Sequence, residues 1–361
     1  MPRFCTGNAA FTERIAQKKL IYGPFLTIIS YLCHMNEPII RVVTERKELP
    51  VLDDSNFFHS RQFFDIAWQT PRQQPYMVVA QGDDGRVMAH LLAIVRHRSL
   101  WLPPYLYTHC RILGEGVYGY AHEGYTEHDL FGRMIEALRR RLANRVFYIE
   151  LSNLSTKMFG YRELKQCQFF PVNWLSIHNS LHSHAPEERI SKRLRKHIST
   201  AQAKGVMTTE VESEDDFKDF MKLLRLHHWL KPKRYIPDEA FFRAMQAGKH
   251  GRLCVTRYHG HAIGCSAVTY SCQNVYLWYA AFRRKSYAML HPDELTLWHV
   301  LKDAHSKGYQ HVFFMDVGLP FSHNPFREFI LRFGGKPVST YRWFRCSIRW
   351  INAVLSWIYR N

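Results

Sequence analysis

The stretch HPDELTLWHVLKDAHSKGYQHVFFMDVG, residues 291–318, decides the fold. Pro292 suits the first position of a helix, because the N–H that proline lacks has no partner there anyway. Lys307 and Gly308 are typical of a helix end, so the sequence predicts a helix from Pro292 to Ser306. The apolar, aromatic run His311–Asp316 then predicts a strand. A helix that leads directly into a strand is a building unit of mixed α and β domains.

The chain on both sides of this stretch predicts more strands and helices. Three β-runs lie close together upstream, joined by the short turns HGH and CQN, which is typical of an antiparallel meander. A strand and two helices precede the meander, and a helix and a strand follow residue 318, so the predicted order is β-α-α-β-β-β-α-β-α-β. The outer elements are Met207–Val211, Asp215–Leu230, Pro237–Ala247, Leu253–Tyr258, Ala262–Ser271, Val275–Ala281, Pro325–Phe333 and Pro337–Arg349.

The first half repeats this pattern more loosely. Residues 127–153 match 292–318 in having an acidic helix start, a basic finish and an aromatic strand, and residues 159–177 match 326–344, at an offset near 167 residues. The repeat predicts a duplicated domain, although two generic patterns can coincide. The predicted units are an N-terminal extension (1–38), a first copy of the domain (39–184), a second copy (185–347) and a basic amphipathic C-terminal helix (348–361).

Four segments of the second half resemble FemAB-like acyltransferases of the GNAT superfamily. They are SKRLRKHISTAQAKGV (191–206), GHAIGCSAVTY (260–270), residues 291–318 and PFREFILRFGGKPV (325–338). The resemblance covers about 187–345, with a weaker match over 40–180. It implies an α+β class with a mixed sheet, built as two tandem GNAT-like acyl-CoA N-acyltransferase domains. It also implies that donor and acceptor meet in the second domain.

Two features depart from that family pattern. The glycine-rich pyrophosphate loop before the long helix is absent, and Arg283–His291 stand in its place. In addition, residues 187–206 are expected to make one helix, whereas some relatives have a helical hairpin there that binds tRNA. The second departure disfavours an aminoacyl-tRNA donor.

The start of the Pro292 helix is the predicted donor site. Amides in a first helical turn lack partners within the helix, and together with the helix dipole they attract phosphate. Basic side chains on the preceding loop can pair with further phosphates of acyl-CoA. The alternative is a capped helix behind a solvated loop, because two acids in the first turn oppose an anion. The predicted donor-binding residues are Arg283, Arg284, Lys285, Asp293, Glu294 and Leu295.

Other residues are predicted to act on the acceptor. Tyr279, in YLWYAAF, and Asp316, at a strand end, are the predicted catalytic residues, which orient the acceptor or remove its proton. Packing in the sheet and capping of the next segment are their structural alternatives. The predicted substrate-binding residues are His228, Trp229, Lys231 and Arg327, for which surface charge is the alternative. No metal site is predicted, because the histidine clusters noted (His178, His182 and His184; His259 and His261) lack acidic or cysteine ligands.

The charge balance indicates an anionic partner. Among 361 residues, 49 are Lys or Arg and 31 are Asp or Glu, which gives +18. This excess favours a phosphate-rich cofactor, a nucleic acid such as tRNA, or an anionic membrane surface. The basic, Trp-flanked helix 348–359 suits a membrane surface or docking on the protein's own core. Eight dispersed cysteines without a CxxC pair predict a cytoplasmic protein, with a peripheral position at the inner face of the membrane as an extension of that prediction.

The N-terminus has three open interpretations. Translation begins at Met35, or residues 1–34 are a membrane-associating leader, or they form a structured extension.

Three functions fit these observations. The leading one is acyl transfer, without a covalent enzyme intermediate or a tightly bound cofactor, from acyl-CoA to an amine or hydroxyl of a small or lipid-linked acceptor. The second is aminoacyl-tRNA-dependent transfer in cell-envelope synthesis. The third is a non-catalytic module with the GNAT fold that binds membranes or RNA. No GxSxG, HExxH or P-loop motif occurs, so hydrolase and NTPase functions lack support.

Overall fold

A mixed β-sheet runs through the part of the chain that the structure, a computed structural model, describes: residues 37–97, 108–119, 124–155, 158–228, 235–315, 317 and 323–359. Its strands are β1 (Ile39–Val43), β2 (Gln73–Gln81), β3 (Val87–His97), β4 (Thr108–Leu113), β5 (Val117–Tyr118), β6 (Tyr148–Ser152), β7 (Phe170–Ser180), β8 (Met207–Glu210), β9 (Gly251–Tyr258), β10 (His261–Ser271), β11 (Asn274–Phe282), β12 (His311–Phe314) and β13 (Lys336–Cys346).

Helices cover both faces of this sheet. They are α1 (Arg61–Gln69), α2 (Glu127–Arg141), α3 (Tyr161–Gln166), α4 (Pro186–Arg189), α5 (Lys192–Ala203), α6 (Glu214–His228), α7 (Glu239–Ala247), α8 (Pro292–Ser306), α9 (Pro325–Leu331) and α10 (Arg349–Ile358). Within the described ranges, none of the helices combines the length and the apolar character needed to pass through a bilayer.

The element order predicted for the second half is confirmed. It reads β8-α6-α7-β9-β10-β11-α8-β12-α9-β13, and α8 has the predicted bounds. The prediction of one helix over residues 187–206 is wrong, because the chain breaks there into α4 and α5. Ser191 causes the break: it has an extended backbone, and its hydroxyl accepts a hydrogen bond from the Leu194 amide at 3.2 Å, so it caps a new helix.

The two halves of the chain exchange their last strands. The order across the sheet is β1-β2-β3-β4-β6-β13-β7-β12-β11-β10-β9-β8. β13, from the second half, therefore pairs with β6 of the first half, and β7, from the first half, pairs with β12 of the second. β7 and β13 also pair with each other, from Lys336 opposite His178 to Phe344 opposite Phe170. The division of the chain at residues 184 and 185 stays a prediction.

Each exchanged strand fills the other half's core. Trp343 of β13 is fully buried among Met134 and Leu138 of α2. Ile177 of β7 is fully buried beside Val312 of β12 and Ile330 of α9. Burial of this kind contributes roughly 1.5–3 kcal/mol for each large apolar side chain. The exchange thus makes folding of either half depend on the other.

A shared aromatic core joins the halves on the opposite face of the sheet. Trp278 of β11 lies at its centre, with its ring 5.7 Å from Phe58 and 5.6 Å from both Phe63 and Phe241. Phe58 and Phe63 come from the first half, and Phe241 comes from α7 in the second half. The strand that carries Trp278 is therefore held from both sides.

Replacement of Trp343 by alanine tests the strand exchange. We expect Trp343→Ala to lower the free energy of unfolding by about 3–5 kcal/mol, because it opens a cavity in the first half's core. Urea denaturation measures this. Trp350→Ala, which changes an exposed tryptophan, is the control and is expected to stay within about 0.5 kcal/mol of the parent. Equal, small losses in both variants would contradict the exchange.

Candidate active site

A wedge opens where β11 and β12 separate. The two strands pair in parallel from Asn274 opposite His311 to Leu277 opposite Phe314. One further hydrogen bond follows, in which the Met315 amide donates to the Leu277 carbonyl at 3.1 Å. β11 then continues to Phe282, and among the described residues no strand pairs with that edge. The backbone of β11 beyond Leu277 therefore borders open space.

A β-bulge accounts for the separation. In the ladder between β10 and β11, Ala267 lies opposite Tyr279 but Val268 lies opposite Leu277, so Trp278 is an extra residue. A bulge bends its strand and increases the local twist, which turns β11 away from β12. The equivalent strands β4 and β6 of the first half pair without a shift up to Leu113 opposite Ser152. The described part of the first half therefore has no such wedge.

The wedge leads into a cavity of about 500 Å³. This volume lies within the usual range for small-molecule sites. Most of its lining is apolar and aromatic, while polar groups come from the end of α6 and the start of α8. The lining residues that bear on chemistry are His227, His228, Trp278, Tyr279, Arg284, Asp293, Phe326 and Phe329.

The start of α8 is occupied by its own chain. Oδ1 of Asp293 accepts a hydrogen bond from the Glu294 amide at 3.0 Å, and the Leu295 amide donates to the His291 carbonyl at 3.0 Å. Oδ2 of Asp293 lies 3.4 Å from Nε of Arg284. Burial raises the pKa of Asp293, and Arg284 partly offsets that effect. The expectation that these first-turn amides are free donors is therefore wrong: the carboxylate of Asp293 holds the anion position.

Glu294 has a separate environment. It is 3% exposed, and its carboxylate meets three cationic or imidazole groups from different elements. Oε1 lies 2.6 Å from Nη2 of Arg332, while Oε2 lies 3.0 Å from Nδ1 of His197 and 3.5 Å from Nδ1 of His291. Burial lowers the pKa of His291. The network ties α5, the start of α8 and the end of α9 together, so the role of Glu294 in the structure is to fix these three elements.

The two imidazoles, together with Glu294 itself, raise the question of a metal site. His197, His291 and Glu294 lie close enough for their ligand atoms to approach one ion. The imidazole rings, however, are stacked at 4.1 Å with only 9° between their planes. A ring nitrogen binds a metal in the plane of its ring, at about 2.0–2.1 Å. An ion in the plane of one ring lies well outside the plane of the other, so this geometry fits an ionic network and not a metal centre.

Buried arginines extend the polar surface from Tyr279 towards the first half. Arg96 of β3 is 1% exposed and stacks on Tyr235 at 4.9 Å, and its Nε and Nη2 have no hydrogen-bond partner among the residues that the structure describes. Burial lowers the pKa of Arg96, whereas Tyr279 and Tyr235 act in the opposite direction. Farther along this face, Arg342 lies 3.1 Å from Glu150. A buried guanidinium without a partner is costly, which favours an anion beside it.

The predicted site residues fall into three groups. Tyr279, His228, Arg284 and Asp293 line one cavity. The others that the structure describes do not: Arg283 lies over the Tyr287 ring at 5.5 Å, Lys285 is exposed, Leu295 is in the core, Glu294 belongs to the network above, and Arg327 is on α9 beside the cavity-lining Phe326. Asp316, Trp229 and Lys231 lie outside the described residues.

Sequence reasoning missed two parts of the site. Phe326 and Phe329 form an apolar wall, and Asn324 places it: its side chain accepts from the Phe326 amide at 3.0 Å and donates to the Val317 carbonyl at 2.8 Å. The Asn324-Pro325 dipeptide is a helix-start signal that predicts this position. Nothing in the local sequence indicates the contact of Arg332 with Glu294.

Comparison with known proteins identifies the class of the fold. Residues 188–326 match the family model of the acetyltransferase (GNAT) domain. A crystal structure of FemX is similar at a TM-score of 0.58 and 12% identity, covering 86% of this chain and 96% of FemX. L-PGS from Bacillus licheniformis gives 0.54 and 10%, covering 82% and 92% of the two chains. A domain described as the C-terminal domain of a lysylphosphatidylglycerol synthetase from Agrobacterium fabrum gives 0.52 and 11%, covering 77% and 87%.

These matches confirm the predicted fold class and, over residues 188–326, the predicted GNAT domain. The chain as a whole is similar in fold to FemX. No curated protein sequence matches the chain significantly. At 10–12% identity, the structural matches establish the fold only. The donor and the acceptor have to be inferred from the site.

Loss of the Glu294 carboxylate tests the network. We expect Glu294→Gln to lower the free energy of unfolding by about 1–3 kcal/mol, because Arg332 and the imidazoles lose their shared acceptor. Thermal and urea unfolding measure the change. Glu214→Gln, which removes an exposed partner of Arg243, is the matched control and should have little effect. A stability of Glu294→Gln equal to that of the control would show that the network contributes nothing.

Proposed function

We propose that this chain transfers an acyl group from an acyl-CoA-type thioester to an amine or hydroxyl of a small or lipid-linked acceptor. The observation that carries the proposal is the wedge: inside the GNAT domain, β11 continues beyond Leu277 as an edge that has no neighbouring strand among the described residues and that lines a cavity of about 500 Å³. An extended arm that contains amides can pair with such an edge as an added strand does. The pantetheine arm of CoA has that chemistry.

Basic residues at the cavity mouth suit the phosphates of the donor. Arg284 lines the cavity, and Arg284 and Lys285 are exposed on the loop after β11. Arg284 also contacts Asp293, so a bound phosphate competes with this carboxylate for the guanidinium. In the proposed complex Arg284 turns from Asp293 to the phosphate, and the Asp293 carboxylate keeps its hydrogen bond from the Glu294 amide. This arrangement replaces the phosphate contact with helix amides expected from the sequence.

Transfer needs a group that takes the proton from the acceptor and one that returns a proton to the leaving sulfur. The acceptor nitrogen or oxygen attacks the thioester carbonyl carbon, the carbon–sulfur bond breaks, and the thiolate is protonated. We assign proton removal to His228 and protonation of sulfur to the Tyr279 hydroxyl, because both line the cavity at the wedge. Asp316 stays a predicted acceptor contact. The buried Arg96 beyond Tyr279 favours an acceptor that carries an anionic group.

Aminoacyl transfer from tRNA is the second candidate. The net charge of +18 and the exposed basic residues of α5 favour it, and the likeness in fold to FemX and to a lysylphosphatidylglycerol synthetase domain is compatible with it. RNA binding by such a surface would weaken steeply with salt. The apolar lining of the wedge, and the ionic network that holds α5 against α8, fit a narrow thioester arm better. The third candidate, a non-catalytic module, does not account for the wedge.

Binding of CoA tests the proposed donor site. We expect saturating CoA to raise the melting temperature, with a stabilisation of about 2.7 kcal/mol at a hundredfold excess over Kd. Arg284→Ala should weaken CoA binding about tenfold, because one charge-assisted contact is lost. Asp293→Ala should tighten it by freeing Arg284, despite a stability loss near 1 kcal/mol from the lost hydrogen bond to the Glu294 amide. Differential scanning fluorimetry and titration calorimetry provide the values.

The control is Arg86→Ala, an exposed arginine in a turn of the first half, which should leave CoA binding unchanged. Equal CoA affinity in the parent and Arg284→Ala proteins would refute the donor site. Salt-dependent tRNA binding without any response to CoA would favour the second candidate, aminoacyl transfer from tRNA.

A further inference from the structure

The C-terminal helix α10 is amphipathic, but its most apolar face points away from the protein. Trp350, Val354, Trp357 and Ile358 are 70%, 49%, 72% and 56% exposed. Their spacing places them on one face of a helix. None of the helix's residues is buried. Among the described residues, the core therefore does not cover this face, whereas the side of the helix that carries Leu355 is half-buried against the protein.

The polar side chain of the helix points inward and fixes this orientation. Oδ1 of Asn352 accepts a hydrogen bond from the Cys346 amide at 2.8 Å, and its Nδ2 donates to the Gln168 carbonyl at 3.1 Å. Beyond the helix end, the ring of Tyr359 stacks on Phe170 at 6.0 Å. Because Asn352 holds the helix from its inward side, the face that carries Trp350 and Trp357 points outward. That face therefore needs a partner other than the described core.

Basic residues lie near the start of the helix. Arg349, the first residue of the helix, is exposed, and Arg349–Ile358 contain no acidic residue. Arg139, Arg140 and Arg141 close α2 near the base of the helix, where Arg139 lies close enough to add to the lowering of the Arg345 pKa that burial causes. The protein as a whole carries +18. A partner with a negatively charged surface and an apolar interior matches this arrangement.

We propose that α10 docks the protein on an anionic lipid bilayer surface, with the helix parallel to the surface and Trp350 and Trp357 inserted at the boundary between headgroups and acyl chains. Tryptophan prefers that boundary, and basic residues beside an apolar helix face add attraction to anionic headgroups. Ten residues are too few to cross a bilayer, so the helix lies on the surface. A second copy of the chain carries the same positive charge, which opposes pairing through this face. The inference does not depend on the donor site.

Vesicle flotation with the full chain tests the docking surface. The probes are vesicles of phosphatidylcholine alone and of phosphatidylcholine with phosphatidylglycerol. We expect binding to the anionic vesicles that weakens with salt. Trp350→Ser with Trp357→Ser should reduce this binding about tenfold or more, because two apolar side chains no longer insert. Arg349→Gln should reduce binding to anionic vesicles only.

The matched control is Trp68→Ser, which changes an exposed tryptophan on α1 and should bind vesicles as the parent does. Parent-like melting of the double variant, together with a parent-like response to CoA, shows that it folds and that only docking has changed. Equal vesicle binding by the double variant and the parent overturns the proposal. So does a dimer that dissociates in the double variant while the parent binds no vesicles, because the face is then a contact between two copies.

Discussion

The parallel ladder between β11 and β12 ends at Leu277 and Phe314, and the architecture of the site follows from that end. The extra residue at Trp278 bends β11, and beyond Leu277 the bent strand has no neighbouring strand on that side among the described residues. Strand edges of this kind are normally covered or blunted, because any extended chain can add to them. Here the edge lines a cavity, a position that suits a slender ligand with amide groups. In the described part of the first half the corresponding strands stay paired, so this half supports the site of the second half without forming a wedge of its own.

Strand exchange supplies that support. Because β7 and β13 each complete the other half's sheet, the two halves fold as one body, and Trp278 packs against Phe58 and Phe63 of the first half. The hydrophobic periodicity of the sequence identified all six strands of the second half, since alternation and turns are local properties. It could not give their order in the sheet: pairing of β13 with β6 joins residues almost two hundred positions apart, and the same pattern fits either neighbour.

The same distinction between local sequence signals and long-range contacts applies to the site. Pro292, the Lys307-Gly308 stop and the aromatic strand after it are local signals, and α8 has the predicted bounds. The acids of its first turn are different: from the sequence they are predicted donor-binding residues, whereas Asp293 and Glu294 are buried and paired within the chain. Their burial depends on Arg284, His197 and Arg332, which approach from three other elements. A buried carboxylate is tolerated only with such partners, and tertiary structure alone brings them together.

The central proposal is that a thioester donor binds along the edge of β11 that lines the cavity. Hydrogen–deuterium exchange of the full chain with and without CoA measures this directly, because an arm that pairs with the edge slows exchange of the amides it contacts. We expect CoA to slow exchange in peptides that cover Trp278–Phe282 and to leave exchange unchanged in peptides from β4 and β6 of the first half. Unchanged exchange across β11 at a CoA concentration that raises the melting temperature would place the donor elsewhere and contradict the account.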